Sequence, residues 1–480
     1  MTRTKIIATI GPACRSKEML EELIRSGMDV ARINCSHASH EDIEGVITDL
    51  RSISKQLDTS VGILLDLSGP KIRTGRIAGG KGVQLKVGQK FTLTSRKVEG
   101  SSEIVTANYP RLSKEVKAGD TILLDDGIIE LRVKKSNETD AECEVLTAAH
   151  LKDHQGINIP GVRLSIPALT EKDRTDLVVG LKNEVDFVAL SFVRDAKDIT
   201  DLREAIGDHW PPPMIIAKLE KPEAIDQLEA ILDAADGVMV ARGDLGVELP
   251  PEKVPPIQKM IIKRANQKAK PVITATQMLD SMANNPRPTR AEASDVANAI
   301  FDGTDAVMLS EETAMGSYPL EAVRMMDRIA YQAEATMSSR IVEHPLHSAS
   351  QAVAHAAVAM ALDMDARVVA TFTKTGSTAK LVSQFRPPVS IIALTQHEYV
   401  YRQLSILWGT TPLMLTEVSD SESTLALVEE TLLKRGLVSP KDNIIITGGL
   451  PIAARGAANF VKLSTINPKK QTRNFEFKGI

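Results

Sequence analysis

Met214-Ile215-Ile216-Ala217-Lys218-Leu219-Glu220, Gly237-Val238-Met239-Val240-Ala241-Arg242-Gly243-Asp244 and Pro271-Val272-Ile273-Thr274-Ala275-Thr276-Gln277 decide the fold of this chain. In each, a short apolar run bounded by turn residues closes on polar side chains. Such runs read as parallel strands buried on both faces. Five more share the pattern: Lys5–Gly11, Asp29–Cys35, Val61–Leu67, Asp186–Phe192 and Ala306–Glu312. Helix-period stretches such as Lys17–Ser26, His40–Leu57 and Ile257–Ala269 separate them. Eight strand–helix alternations at intervals of roughly 30 residues predict a (β/α)8 TIM barrel, whose chemistry is done at the rim where the strands end.

The third interval is too long. Between about Ile72 and Pro167 lie short alternating runs, Val83–Val87, Phe91–Thr94, Thr121–Leu124 and Ile129–Val133, punctuated by Gly, Asp and Asn. They predict a small inserted all-β domain, a β barrel, hanging over the rim as a lid. After a helical stretch at Leu320–Ser338 the segment Glu343–His347 reads as a linker, and an α/β rhythm restarts. Strands are expected at Arg367–Thr373, Val389–Thr395, Thr411–Thr416, Asn443–Thr447 and Phe460–Ile466, which makes a doubly wound α/β domain. The expected domains are therefore a barrel at 1–70 and 168–342, the lid at 71–167, and a C-terminal domain at 343–480. No short repeat stands out.

The 480 residues, 43% hydrophobic and 25% charged, have a globular composition, and their net charge of −4 gives no electrostatic reason for nucleic acid as partner. No apolar run approaches the ~20 residues of a membrane span. The N-terminus lacks a signal-peptide core, so the cytoplasm is the expected address. Cys14, Cys35 and Cys143 have no paired spacing for zinc or redox work, and Cys35 is expected to be a small buried thiol.

At the rim, Lys218 and Glu220 stand two apart and so point the same way. Glu220 and Asp244 come from adjacent strand ends, a pair suited to Mg²⁺, which takes few protein ligands and keeps several waters. Lys218 is placed to offset charge on a transferring phosphoryl group. The turn at Gly243 and Asp244 offers backbone N–H groups to an anion. Arg32 and Asn34 share one face of the second strand, with Ser36 beyond. Arg32, Lys71 and Arg73 bring three positive charges to one mouth, which predicts a polyanionic ligand.

These segments resemble the pyruvate kinases. The likeness rests on Ala31–His37, Asp66–Gly75, Ile215–Glu220, Val238–Gly246, Ala275–Met282, Met308–Tyr318 and above all Arg287-Pro288-Thr289-Arg290-Ala291-Glu292-Ala293-Ser294-Asp295-Val296-Ala297-Asn298. It spans essentially the whole chain. It implies phosphoryl transfer from phosphoenolpyruvate to ADP, giving pyruvate and ATP, in a homotetramer. By this resemblance Glu220 and Asp244 hold the catalytic Mg²⁺, for which Mn²⁺ can stand in, and Lys218 stabilises the phosphoryl group in flight. Arg32 contacts phosphate, while Asn34, His37, Arg73 and Lys172 lie on the nucleotide side. The Gly243 and Asp244 amides hold the substrate carboxylate. Thr276 stands beside the enolate face that is protonated, and Ser310 lies on a proton route. A second Mg²⁺ arrives with the nucleotide.

Two departures stand out. The family's monovalent-cation region falls on Asn34, Ser36, Asp66, Leu67 and Lys71, and many members carry glutamate where this chain has Lys71. An ammonium there supplies the charge that K⁺ otherwise brings, so K⁺ is expected not to be required. At Glu311 the family often has glycine, a change the sequence does not explain. In the C-terminal domain, Thr373-Lys374-Thr375-Gly376-Ser377-Thr378 joins a strand to a helix with hydroxyls and a glycine, a phosphate cradle. It resembles the family's allosteric loop for sugar phosphates or nucleotides, with Arg455 in a second loop assisting. A barrel lyase or aldolase would share the metal carboxylates but not the lid, and a metabolite sensor without catalysis would not need Lys218, Glu220, Asp244 and Thr276 together.

Overall fold

The computed structural model describes residues 2–337, 341, 342, 344–415, 421–450 and 457–467. Eight parallel strands close into a barrel in chain order. They are β1 (Lys5–Ile10), β2 (Val30–Asn34), β3 (Gly62–Asp66), β4 (Phe187–Leu190), β5 (Met214–Leu219), β6 (Gly237–Ala241), β7 (Val272–Ala275) and β8 (Ala306–Leu309). Nearly every residue of these strands is buried, because helices cover the outside and side chains fill the inside. The helices begin where the sequence supplies caps. Ser39 and Asp42, Thr170 and Asp173, and Thr289 and Glu292 each form a reciprocal capping box.

The base of the barrel carries a fourfold repeat. Asp29, Asp186, Asp236 and Asp305 stand immediately before β2, β4, β6 and β8. Each carboxylate accepts the backbone N–H at the start of the preceding strand: Ile6 at 2.9 Å, Ile63 at 2.8 Å, Ile215 at 2.9 Å and Val272 at 3.0 Å. Each aspartate N–H donates back to the carbonyl of that same residue. The repeat is written in the sequence as Met28-Asp29-Val30, Val185-Asp186-Phe187, Ala235-Asp236-Gly237 and Thr304-Asp305-Ala306. It escapes a search for short repeats because the copies lie far apart and share only the aspartate and the apolar run after it.

The inserted segment encloses one apolar core, from Ile72 to Ile159. Six strands form one sheet, and Val83–Gln84 pairs with His150–Leu151 beside it. Within the sheet Lys90–Thr94 and Ile104–Thr106 run parallel. Residues Ile72–Gly75 bond to both edges of this sheet: the Ile72 carbonyl and Thr74 N–H pair with Ile157 and Gln155 on one side, and the Arg73 carbonyl and Gly75 N–H pair with Asn108 and Thr106 on the other, which closes the sheet around its core.

The C-terminal sheet contains β9 (Val368–Phe372), β10 (Ser390–Thr395), β11 (Thr410–Met414), β12 (Asn443–Gly448) and β13 (Phe460–Thr465). Its order is β11-β10-β9-β12-β13, with β13 antiparallel to β12. The strand order reverses between β9 and β12, as in doubly wound domains. This domain seals the barrel base, where Val400, Leu404, Ile406 and Leu407 join the inward residues Ile7, Leu64 and Phe187 in one cluster. Two buried ion pairs fix the contact: Arg386 Nη1 lies 2.7 Å from Asp305, and Arg402 Nε 2.7 Å from Asp186. Both arginines therefore grip aspartates of the fourfold repeat. Among the described residues no helix is long and apolar enough to cross a membrane.

Candidate active site

The exits of β2, β3, β4 and β5 converge on Lys218. Its ammonium donates to Ser191 Oγ at 2.7 Å and lies 2.9 Å from Glu220 Oε1 and 3.3 Å from Asp66 Oδ1. Asp66 also accepts Arg32 Nε at 2.7 Å, and Arg32 Nη1 donates to Thr9 Oγ1 at 2.8 Å. Ser191 Oγ in turn donates a hydrogen bond to the Leu67 carbonyl at 2.8 Å. The second oxygen of Glu220 accepts the Phe192 N–H at 2.8 Å, and Phe192 is held at φ 57° to aim it. Sequence reasoning missed Thr9, Ser191 and Phe192, whose roles depend on backbone course and not on residue type.

The charges in this cluster are unequal. Burial works against the Lys218 ammonium, but the carboxylates of Asp66 and Glu220 hold its pKa above the ordinary lysine value. Burial would raise Asp66, yet Lys218 and Arg32 keep it below the usual carboxylate range. Glu220 goes the other way. Burial, and then the charge of Asp244, push it up further than Lys218 pulls it down. Two carboxylates that repel each other in a buried cleft form a place for a cation. Among the described residues no three His, Cys, Asp or Glu side chains cluster to cage a metal, so an ion here would complete its shell with substrate oxygens and water.

Across the mouth, β6 and β7 end in a locked corner. Helix Arg242–Glu248 follows β6, and the Gly243 N–H donates to Thr276 Oγ1 at 2.7 Å. Thr276 Oγ1 donates to the Ala275 carbonyl at 2.6 Å. Thr276 and Gln277 both have positive φ, 68° and 53°. Asp244 faces the cleft between barrel and lid with Lys71, Phe192, Arg194 and Lys221. Buried Glu312 accepts the N–H groups of Ser310 at 2.7 Å and Leu279 at 3.1 Å, tying the β7 and β8 exits together. Ser310 Oγ is buried with no protein partner. Glu248 joins Lys221 of the barrel to Asn158 of the lid.

The residues expected from sequence to serve a nucleotide are unevenly engaged. The His37 side chain is exposed, yet its imidazole is held below its ordinary 6.5, first by partial desolvation and then by Arg73, Lys71 and Arg32. The charges of all three cations are thus felt at one ring. We expect NMR titration to put His37 below 6.5, and Lys71→Met to move it upward; an unshifted His37 would separate these charges. The sign is that of a depressed histidine. The unfolded chain takes the proton first, so this ring's contribution to stability falls as pH drops below 6.5. Asn34 Oδ1 accepts the Ser36 N–H at 3.1 Å. Arg73 Nη1 donates to the His154 carbonyl at 3.2 Å. Lys172 is engaged, donating to Asp176 at 2.6 Å and to the Cys35 carbonyl at 2.7 Å. Cys35 itself is buried, which pushes its thiol far up.

The loop Thr373–Thr378 leaves β9, with Gly376 at φ 82°, and leads into helix Ser377–Ser383. Thr373 Oγ1 is buried without a hydrogen bond. Arg455 lies outside the described residues.

Comparison with known proteins agrees over nearly the full length. The family model "Pyruvate kinase, barrel domain" matches residues 1–323, and "Pyruvate kinase, alpha/beta domain" matches 351–464. Pyruvate kinases of Staphylococcus aureus strains MRSA252 and USA300 are each 46% identical over 477 residues, covering 97% of this chain and 81% of theirs. The crystal structure of a pyruvate kinase from Cryptosporidium parvum aligns with a TM-score of 0.91 at 38% identity, over 97% of this chain and 96% of that one.

Proposed function

The chain belongs to the pyruvate kinase family, and from that membership we propose how its own residues transfer a phosphoryl group from phosphoenolpyruvate to ADP. The observation that carries the reading is Lys218, a buried ammonium kept charged between Asp66 and Glu220 at the rim. A buried cation aimed at the mouth stabilises the charge spread over a phosphoryl group in flight. Arg32, oriented by Asp66 and Thr9, binds phosphate oxygens from the side. Glu220 and Asp244 would hold Mg²⁺, or Mn²⁺ in its place, which supplies a Lewis acid to the substrate oxygens. The N–H groups at Gly243 and Asp244 face the substrate carboxylate, with the Gly243 N–H shared with Thr276. Loss of the phosphoryl group leaves an enolate, and its methylene carbon takes a proton on the face beside Thr276, with Ser310 next along the route. His37, Arg73 and Asn34 serve the nucleotide, and Lys172 orders the chain beside them through Asp176 and Cys35.

The same reading makes K⁺ dispensable. Three oxygens of the family's monovalent-cation region already accept hydrogen bonds from the chain: Asn34 Oδ1 from Ser36, Asp66 from Arg32, and the Leu67 carbonyl from Ser191. Lys71 adds a positive charge to the same mouth, felt at His37. Steady-state ATP formation with Mg²⁺ in buffer free of Na⁺ and K⁺ is expected to stay within about twofold of the rate with K⁺. Negligible turnover that K⁺ restores would defeat this reading.

We assign regulation to the C-terminal domain. The Thr373–Thr378 loop leaves β9 at the switch point, where β9 and β12 diverge, and ligands of doubly wound sheets bind at such crevices. A phosphorylated metabolite, a sugar phosphate or a nucleotide, is the class that fits its hydroxyls and Lys374. Kinetics repeated with a panel of both classes tests this, and a flat response to all of them would reject it.

A further inference from the structure

We propose that Arg242 is a positioning residue for the protonation step, holding the Thr276–Gln277 corner in its left-handed turn; this rests on the reading of Thr276 given above. The corner needs holding. A β-branched residue at positive φ is a steric outlier, and here it is followed by a second left-handed residue. Strain of this kind persists only where the surroundings over-determine it.

Arg242 supplies that constraint. Its Nη2 donates to the Thr276 carbonyl at 2.8 Å and to the Gln277 carbonyl at 3.2 Å, and touches Met278 Sδ at 2.8 Å. The carbonyls of both strained residues are thus gathered on one nitrogen. Nη1 lies 2.6 Å from Asp295 Oδ2, on helix Arg290–Phe301, so the guanidinium plane is itself fixed from behind. The next residue, Gly243, holds Thr276 Oγ1 from the other side. Two consecutive residues leaving β6 therefore clamp the backbone and the hydroxyl of the threonine leaving β7. Among the described residues, the side-chain partners of Arg242 are this corner and Asp295, so it acts through Thr276. A lysine keeps the charge but not the planar fork that reaches both the carbonyls and Asp295.

The test separates proton chemistry from the rest of turnover. With Mg²⁺ and ATP present, bound pyruvate loses a methyl hydrogen as a proton, and the resulting enolate regains a deuteron in D₂O, which proton NMR follows. Arg242→Lys and Asp295→Asn are each expected to slow methyl deuteration about 10- to 100-fold, the usual result of misplacing a reacting geometry. The KM for phosphoenolpyruvate should change less than about threefold, since ground-state contacts are kept. Thr276→Val should slow deuteration as well, and the losses should not multiply in Arg242→Lys/Thr276→Val, because both act through one corner. Undiminished deuteration in Arg242→Lys, with Thr276→Val impaired, overturns the positioning role alone. Undiminished deuteration in Thr276→Val overturns the reading of Thr276 and this proposal with it. Parallel losses of deuteration, KM and melting temperature in both Arg242→Lys and Asp295→Asn would mark a structural role and overturn the proposal.

Discussion

Lys218→Met is expected to reduce kcat by about 10³- to 10⁵-fold, the worth of a cation that faces a transferring phosphoryl group. Methionine fills much the same volume and suits a buried site. The charges left behind do not become orphans. Asp66 keeps Arg32, and Glu220 keeps the Phe192 N–H. Burial and Asp244 raise the pKa of Glu220, and the loss of Lys218 removes the charge that lowered it. The loss of stability should therefore fall short of the 3–5 kcal/mol typical of breaking a buried pair. A coupled ATP assay with a thermal melt checks both halves. Full activity in this variant would remove Lys218 from the chemistry, and an unfolded chain would mean that Arg32 and the Phe192 N–H do not satisfy the carboxylates it leaves.

The second large effect lies at the barrel base. Arg386→Met should destabilise the protein by about 3–5 kcal/mol, because it strands a buried carboxylate. Arg386 and Asp305 side chains are only 4% and 6% exposed. The guanidinium also donates to Asn266 Oδ1 at 2.9 Å and to the Gly303 carbonyl at 2.6 Å, and lies over the Trp408 ring. Adding Asp305→Asn should recover part of the loss, since the uncompensated charge disappears. Urea denaturation of the single and double variants measures this. A single variant as stable as the parent would show that the pair contributes no net stability to docking the C-terminal domain.

The barrel was legible because parallel strands buried on both faces must be apolar along their whole length, and eight such runs spaced by helices fit few folds besides a closed barrel. Lys218, Glu220 and Asp244 were legible because charged residues just past such runs have few places to go but the rim. What stayed hidden depends on backbone course. Phe192 reads as one more apolar residue, yet its φ of 57° turns an N–H onto Glu220. Arg242 reads as one of the polar side chains closing the sixth strand run, and only the fold brings it to the Thr276 carbonyl. Glu312 reads as a strand end, while in the structure it follows β8 and braces Ser310 and Leu279. In the lid, the strand Asp140–Val145 escapes the pattern because its outward residues, Glu142 and Glu144, dilute the apolar signal.

The four aspartates at the barrel base also account for how so large an insertion is carried. The lid interrupts the chain between β3 and β4, yet Asp186 still exchanges both hydrogen bonds with Ile63, 123 positions earlier. Strands one and two, three and four, five and six, and seven and eight are each latched as a couple at the end away from the chemistry. A slip of one residue in any even strand would pull its aspartate off the latch and turn its apolar face outward. Register is thus decided at the floor, and the loops of the opposite rim are left free to lengthen into a separate domain.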